Sequence, residues 1–149
     1  RSLMKNSRNL LLTILGLSFL GFADATFLAI KHYTGAPIPC SFLDGCDTVT
    51  SSIYSTVAGI PVALLGSLFY LTVFVLILFY LQEQREWLVK TVWFLSLLAF
   101  IASLTFVYLQ GFVIGSWCQY CLVSALTSTL IFVLTTVLAR RVSTKSSAV

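Results

Sequence analysis

Four cysteines are the residues of this sequence best suited to chemistry, and they form two closely spaced pairs. Cys40 and Cys46 enclose five residues, and Cys118 and Cys121 form a C-x-x-C motif. Paired thiols can exchange electrons, because a thiolate attacks the sulfur of a disulfide. The C-x-x-C spacing and the unpaired N–H groups of a helix N-terminus both favour the thiolate. The spacing therefore predicts redox chemistry.

Three other uses of the cysteines stay open at this point. Two structural disulfides would cross-link the loops, although a bridge within one helical turn closes almost no loop. A zinc site would need a shorter spacing than that of the first pair, and only His32 lies nearby as a further ligand. Core cysteines without a function would lie within apolar segments, whereas these four lie at their boundaries. We predict no metal ligands.

The composition places the cysteines in a membrane protein. Of the 149 residues 58% are hydrophobic and 9% are charged, with a mean hydropathy of +0.98. A soluble domain carries about 25% charged residues, so a water-soluble globule is excluded, and intrinsic disorder needs the opposite composition. The net charge of +4 comes from nine scattered basic residues. These are too few for a nucleic-acid interface.

Four apolar segments are each close to the ~20 residues that cross a bilayer as a helix. They cover residues 10–30, about 57–81, about 91–113 and about 122–139, the last extending back to 118. The first is longer than the core of a signal peptide. The pattern predicts an all-α, integral membrane four-helix bundle that forms one domain over residues 1–149.

The basic residues predict the orientation of this bundle. Eight of the nine fall on the N-terminal segment, the second connection and the C-terminal tail, and only Lys31 falls on the other side. Positive charge accumulates on the cytoplasmic side, so we expect both termini in the cytoplasm. Residues 31–56 and 114–121, which hold all four cysteines, then lie outside, where disulfides form and persist.

A short interfacial helix is expected over residues 47–58. Asp47 or Thr48 could cap it, although a polar connector lying on the headgroups fits the pattern equally well. Its predicted apolar stripe consists of Val49, Ile53 and Val57. A glycine then interrupts the chain, and Pro61 suits the first turn of the next helix.

Several motifs now fall in a specific order. They are Cys40, Cys46, Ser52, the segment Gly59-Ile60-Pro61-Val62, and the segment Cys118-Gln-Tyr-Cys121. This order resembles the vitamin K epoxide reductase (VKOR) family, in the prokaryotic form that oxidises periplasmic thiols. The resemblance covers residues 10–139, which is nearly the whole sequence.

The resemblance implies a four-helix bundle around a quinone, in a bacterial inner membrane. In such proteins the loop cysteines exchange with a thioredoxin-like carrier protein, and the C-x-x-C pair passes electrons to the quinone. By position, Cys40 and Cys46 are the shuttle pair, and Cys118 and Cys121 the active-site pair, with Cys121 facing the quinone. Ser52 is expected on the capping helix, holding the quinone head. We expect a monomer in contact with membrane lipid.

Two departures from the family pattern refine this expectation. The sequence as given carries no fused thioredoxin-like domain, so the carrier is expected to be a separate protein. Animal enzymes have a tyrosine where Ala125 stands here, and an asparagine near the start of the second span that is missing. Quinone reduction is therefore favoured over epoxide reduction. The alternatives are a vitamin K quinone or epoxide reductase, and a non-catalytic membrane protein with structural or redox-sensing disulfides.

Other residues are candidates for the quinone site. The aromatic residues Phe112, Trp117 and Tyr120 cluster at the outer rim, where an interfacial belt is the default interpretation. They could also line a site for a flat apolar head group, with Phe42 and Tyr54 as weaker candidates. Asp24 is the one acid well inside a predicted span. Either it reaches the interface, or it delivers protons to a reduced quinone.

Overall fold

Four long helices form the protein in the computed structural model, which describes residues 2–148. They are α1 (Ser2–Thr34), α3 (Val62–Glu83), α4 (Glu86–Tyr108) and α5 (Gln119–Ser147). The π-helix Leu109–Ile114 continues α4. Each of the four is long and apolar enough to cross a membrane. The predicted all-α, membrane-spanning four-helix architecture is confirmed.

The bundle interior combines apolar side chains with pairs of small hydroxyl residues. Three hydrogen bonds between serine and threonine hydroxyls join neighbouring helices, between Thr26 and Ser67 (2.8 Å), Ser96 and Thr135 (2.9 Å), and Ser103 and Ser128 (2.7 Å). Such bonds contribute to helix association in lipid, where apolar contact alone gives little preference. The fully buried apolar side chains between them include Ile14, Tyr70, Val73, Ile77, Val92 and Ile131.

Tyr70 connects three helices at the level of the predicted site. Its ring packs against Gly21 of α1 so closely that a β-carbon on that glycine would overlap the ring. Its hydroxyl donates to the backbone carbonyl of Ser124 on α5 at 2.8 Å. Glycine at position 21 therefore lets α1 and α3 approach, and Tyr70 fixes α5 against both.

The connection between α1 and α3 contains a short helix, as predicted, but the predicted extent of that helix over residues 47–58 is wrong. The segment consists of α2 (Cys46–Thr50), a 3₁₀ turn (Ile53–Ser55) and a hairpin of β1 (Thr56–Val57) and β2 (Ile60–Pro61). The hairpin turn uses positive φ at Ala58 (52°) and Gly59 (81°), as a two-residue hairpin requires.

Side-chain hydroxyls explain why the helix ends early. Ser52 donates to the carbonyl of Val49, and Ser55 donates to the carbonyl of Ser52, each at 2.7 Å. Such local bonds compete with helical ones. The predicted apolar stripe is not formed, because Val49 is buried but Ile53 and Val57 are exposed.

The ends of the elements also differ from the predicted ones. Gly45, not Asp47 or Thr48, is the N-cap of α2, and the Asp47 carboxylate accepts the backbone N–H of Ile38 at 3.0 Å. Since the hairpin occupies the chain as far as Pro61, α3 begins only at Val62.

Candidate functional site

The four cysteines meet at one end of the bundle. Cys40 and Cys46 form a disulfide, with their Cα atoms 6.2 Å apart, whereas Cys118 and Cys121 are free thiols. Cys46 and Cys118 are buried in one apolar cluster, and Cys40 and Cys121 pack against it. The disulfide and the C-x-x-C pair are therefore adjacent in space, as electron exchange between them requires. Cys46 is 1% accessible, although it lies in the connection between α1 and α3.

Three contacts hold the first cysteine loop against the C-x-x-C segment. The backbone N–H of Phe42 donates to Oε1 of Gln119 at 3.0 Å. The Tyr120 hydroxyl donates to the backbone carbonyl of Pro39 at 2.8 Å. Gly45 lies on the backbone of Trp117, with no room for a β-carbon between them. The loop is thus positioned by atoms just before and within the C-x-x-C motif.

Cys118 is the N-cap of α5 and is fully buried. The pKa of its thiol is lowered to about 7 by the hydrogen bond from the Cys121 thiol, and also by the backbone N–H groups of Cys121 and Tyr120. Burial opposes this effect. Because N–H groups at a helix start stabilise negative charge, the folded chain makes Cys118 the thiolate of the pair.

Gln110 fixes the position of Cys118 from the opposite helix. Its side-chain Oε1 accepts the backbone N–H of Cys118 at 2.9 Å, and its backbone carbonyl accepts the N–H of Ser116 at 3.1 Å. The residue is 2% accessible and lies in the π-helix Leu109–Ile114. π-Helical turns often occur at functional sites. Sequence reasoning missed Gln110, although a single glutamine in an otherwise apolar span was a visible signal.

A cavity of about 730 Å³ lies inside the bundle beside the C-x-x-C pair. This volume lies within the roughly 300–1,000 Å³ typical of small-molecule sites. Most of its wall is apolar, and it is contributed by α3 and α4, with Leu65, Phe69, Leu98 and Phe106 among the side chains. Polar side chains also line it, among them His32, Ser52, Tyr70, Gln110, Cys121 and Ser124.

Only some of the residues predicted to contact a quinone line the cavity. Ser52 and Tyr54 line the cavity. Phe112, Trp117 and Tyr120 are not among the lining residues, and each has another place. Phe112 lies in the π-helix Leu109–Ile114 and is 81% exposed. The Trp117 ring packs on Gly111, and the Tyr120 ring lies 5.2 Å from that of Phe27.

Of the four cysteines predicted to be catalytic, only Cys121 lines the cavity. Cys118 lies in the buried cluster that also contains Cys46 of the disulfide. Phe42, the other weaker aromatic candidate, is 88% exposed. Across residues 5–148, no three His, Cys, Asp or Glu side chains converge into a group that could hold a metal ion. The arrangement can carry electrons from one cysteine pair to the other and from there to the cavity.

A buried dithiol at the wall of an apolar cavity, with a disulfide packed behind it, suits electron transfer between sulfur and a lipid-soluble acceptor. Fold and site together define an integral membrane oxidoreductase. A sequence model of the Vitamin K epoxide reductase family matches residues 12–136, and the chain belongs to this family. Its members use quinones. A search of the curated proteins found no match.

Proposed function

We propose that the protein is a thiol:quinone oxidoreductase that generates disulfides. Electrons pass from a thioredoxin-like carrier protein to Cys40 and Cys46, then to Cys118 and Cys121, and finally to a quinone. The observation that carries this proposal is the order of the sulfurs. Cys40 is partly exposed, Cys46 and Cys118 share a buried cluster, and Cys121 lines the cavity.

Exposure favours Cys40 as the sulfur that the carrier attacks. A thiolate of the carrier forms a mixed disulfide with Cys40, and Cys46 leaves as a thiolate. The second thiol of the carrier then displaces Cys40. The carrier ends as a disulfide, and Cys40 and Cys46 end as a dithiol.

The next step moves the same two electrons inward. Cys46 attacks the oxidised C-x-x-C pair at Cys118, its neighbour in the buried cluster, and Cys121 leaves. Cys40 then displaces Cys118, which restores the Cys40–Cys46 disulfide. The C-x-x-C pair is now reduced, which is the combination of redox states in this structure. A low thiol pKa makes Cys118 a good leaving group in this exchange.

The cavity fits a quinone in its shape and in its polar groups. When bound there, a quinone supplies a lipid-soluble acceptor of two electrons and two protons. Apolar walls suit a flat ring and a long tail. Oε1 of Gln110 is occupied by the N–H of Cys118, which leaves its amide N–H groups as donors to a carbonyl. The Ser52 hydroxyl donates to Val49, which leaves its oxygen as an acceptor for a ligand hydroxyl.

We also propose the membrane arrangement that the charges favour. The chain acts as one domain and one monomer in a bacterial inner membrane, with both termini in the cytoplasm and all four cysteines on the other side. Eight of nine basic residues support this orientation. The carrier is then an extracytoplasmic protein. Ala125 lines the cavity and offers no hydroxyl there, which supports quinone over epoxide reduction.

The test is a quinone-reduction assay with purified protein in liposomes. Wild-type protein is driven either by dithiothreitol or by a reduced thioredoxin-like protein. We expect Cys118→Ala and Cys121→Ala to abolish quinone reduction with both reductants. Cys40→Ala and Cys46→Ala should lose the activity driven by the carrier protein but keep part of that driven by dithiothreitol. Ser41→Ala, next to Cys40, is the matched control and should behave as wild type.

Two results would count against this proposal. Quinone reduction that survives both Cys118→Ala and Cys121→Ala would remove the C-x-x-C pair from the pathway. If none of the four cysteine substitutions matters, a structural role of the cysteines is the better account. Turnover of vitamin K epoxide by the wild-type protein would instead favour the alternative activity on the same fold.

A further inference from the structure

Asp24 has a buried carboxyl oxygen, Oδ2, without a hydrogen-bond partner among the described residues. The residue lies in α1, within the segment Lys5–Thr34 that is long and apolar enough to cross a membrane. One oxygen of the carboxyl group is therefore buried in the bundle, and both expectations for Asp24, reaching the interface and delivering protons, stay predictions. Ionisable groups inside a membrane are costly and are commonly retained for a function.

Packing contacts one turn to each side show where Asp24 lies. Gly21, one turn before it, contacts the Tyr70 ring. Leu28, one turn after it, belongs to the same buried cluster as Cys118. Asp24 is therefore at the depth of the C-x-x-C pair, between the anchoring tyrosine and the cysteine cluster.

The cavity wall also passes beside Asp24. Ala25 and Leu28 line the cavity, as does Cys121 on the facing helix. Phe27 of α1 lies against Tyr120, the residue before Cys121, with ring centroids 5.2 Å apart. The helix turns around Asp24 thus line the cavity and also pack against the start of α5.

Three titratable residues pack against the helix turns that flank Asp24. Tyr70 of α3 contacts Gly21, and Cys118 and Cys121 belong to the cluster that contains Leu28. A negative charge on Asp24 raises the pKa of Cys118. Among the described residues, neither ion pair involves Asp24, since both lie at the α3–α4 turn or on α4. The described residues therefore place no cation in an ion pair with this carboxyl group.

We propose that Asp24 accepts the proton of Cys121 when the C-x-x-C pair is oxidised and passes it to the ligand in the cavity. This inference rests on the proposed function. As the Cys118–Cys121 bond forms, the S–H bond of Cys121 breaks and two electrons leave for the quinone. The Cys121 proton moves to the Asp24 carboxylate and then to the reduced ligand. Cys118 has already released its proton to solvent, and the second proton required is taken up from solvent.

The experiment compares Asp24→Asn and Asp24→Glu with Asp44→Asn, a matched acid-to-amide control in the exposed loop. Quinone reduction driven by dithiothreitol is measured against pH. The Cys118 thiolate is titrated separately by ultraviolet absorbance without quinone, with Cys118→Ala as the blank. Thermal unfolding checks that each variant is folded.

General acid–base groups contribute about 10²–10⁴-fold to rate, so we expect Asp24→Asn to lower kcat about a hundredfold. The KM for quinone should change much less. The titration midpoint of Cys118 should fall, because a nearby negative charge has been removed. Asp24→Glu should restore most of both properties, and Asp44→Asn should match wild type.

The inference is overturned if Asp24→Asn keeps full turnover across pH, or if the Cys118 midpoint does not move. A loss of turnover that Asp24→Glu fails to restore, with an unchanged midpoint, would show a structural role and would also overturn it. If wild-type protein reduces no quinone, the proposed function fails. The thiolate titration would still decide whether Asp24 interacts with Cys118.

Discussion

The backbone N–H of Cys118 donates to the side-chain Oε1 of Gln110 at 2.9 Å, inside the protein. This bond joins the π-helix at the end of α4 to the first residue of the C-x-x-C motif. A buried N–H group needs a partner, and the Gln110 side chain supplies it. Gln110 therefore sets the position from which Cys118 meets both the Cys40–Cys46 disulfide and Cys121.

Replacing Gln110 tests this connection. Gln110→Leu keeps the side chain similar in size but replaces its polar amide, which leaves the Cys118 N–H unpaired. A buried unsatisfied donor costs about 1–3 kcal/mol, so we expect a lower thermal midpoint in detergent and slower electron transfer from Cys40 and Cys46. Gln82→Leu, the same change at an exposed position of α3, should have neither effect. Equal stability and rate for the two variants would contradict the assigned role.

The reactivity of Cys118 should depend on pH near neutrality. Its pKa is lowered to about 7 from 9.0, first by the hydrogen bond from Cys121. About half of Cys118 is thus in the thiolate form near pH 7, and this fraction falls about tenfold for each pH unit well below 7. Ultraviolet titration of the thiolate, with Cys118→Ala as the blank, measures the midpoint.

Two variants of Cys121 separate the causes of this shift. Cys121→Ala removes the thiol donor and should raise the Cys118 midpoint toward its ordinary value. Cys121→Ser keeps a hydrogen-bond donor and should leave the midpoint lower than Cys121→Ala does. A wild-type midpoint near 9, or the same midpoint in all three proteins, would be inconsistent with the structure.

The cavity should be sensitive to added volume. Ala99 lines it from α4, so Ala99→Phe would place a ring where a quinone is proposed to bind. We expect the KM for quinone to rise about tenfold, which corresponds to about 1.4 kcal/mol. Ile101→Phe, on the exposed face of the same helix, is the control and should keep the wild-type KM. An unchanged KM in Ala99→Phe would place quinone binding elsewhere.

Gly45 should tolerate no side chain. A β-carbon there would overlap the backbone of Trp117, so Gly45→Ala should push the disulfide loop away from the C-x-x-C segment. Overpacking costs typically about 1–3 kcal/mol. We expect a lower thermal midpoint and slower reduction of the C-x-x-C pair by the carrier protein. Gly16→Ala, where a β-carbon meets nothing within 4 Å, should be neutral or stabilising. A stable, fully active Gly45→Ala would show that the two segments need not touch.

The membrane helices were predictable because each has a long run of apolar residues. A run of about 20 apolar residues crosses lipid with few alternatives, and the four runs fell where the helices are. Their ends were less predictable. Polar residues such as Lys31 and Arg140 continue the helices beyond the apolar runs, since lysine and arginine are good helix formers.

The connection around the cysteines was harder to predict from the sequence. Serine hydroxyls at positions 52 and 55 turn back to nearby carbonyls and end the helix after Thr50, an outcome that apolar spacing does not report. The π-helix Leu109–Ile114 contains both Gln110, which bonds the N–H of Cys118, and Phe112, which is exposed. The apolar pattern of the sequence indicates neither position. The cysteine pairs themselves were recognisable from spacing alone, and their roles stay a prediction.

The most direct test of the electron path is a count of thiols lost against quinol formed in one turnover. Fully reduced protein in liposomes is mixed with excess quinone without oxygen, and free thiols are counted by mass after alkylation. We predict two thiols lost for each quinol in wild-type protein, with the first disulfide formed between Cys118 and Cys121. Cys121→Ala should form no quinol. Quinol formation by Cys121→Ala, or thiol loss without quinol in wild type, would contradict transfer from sulfur to quinone at this site.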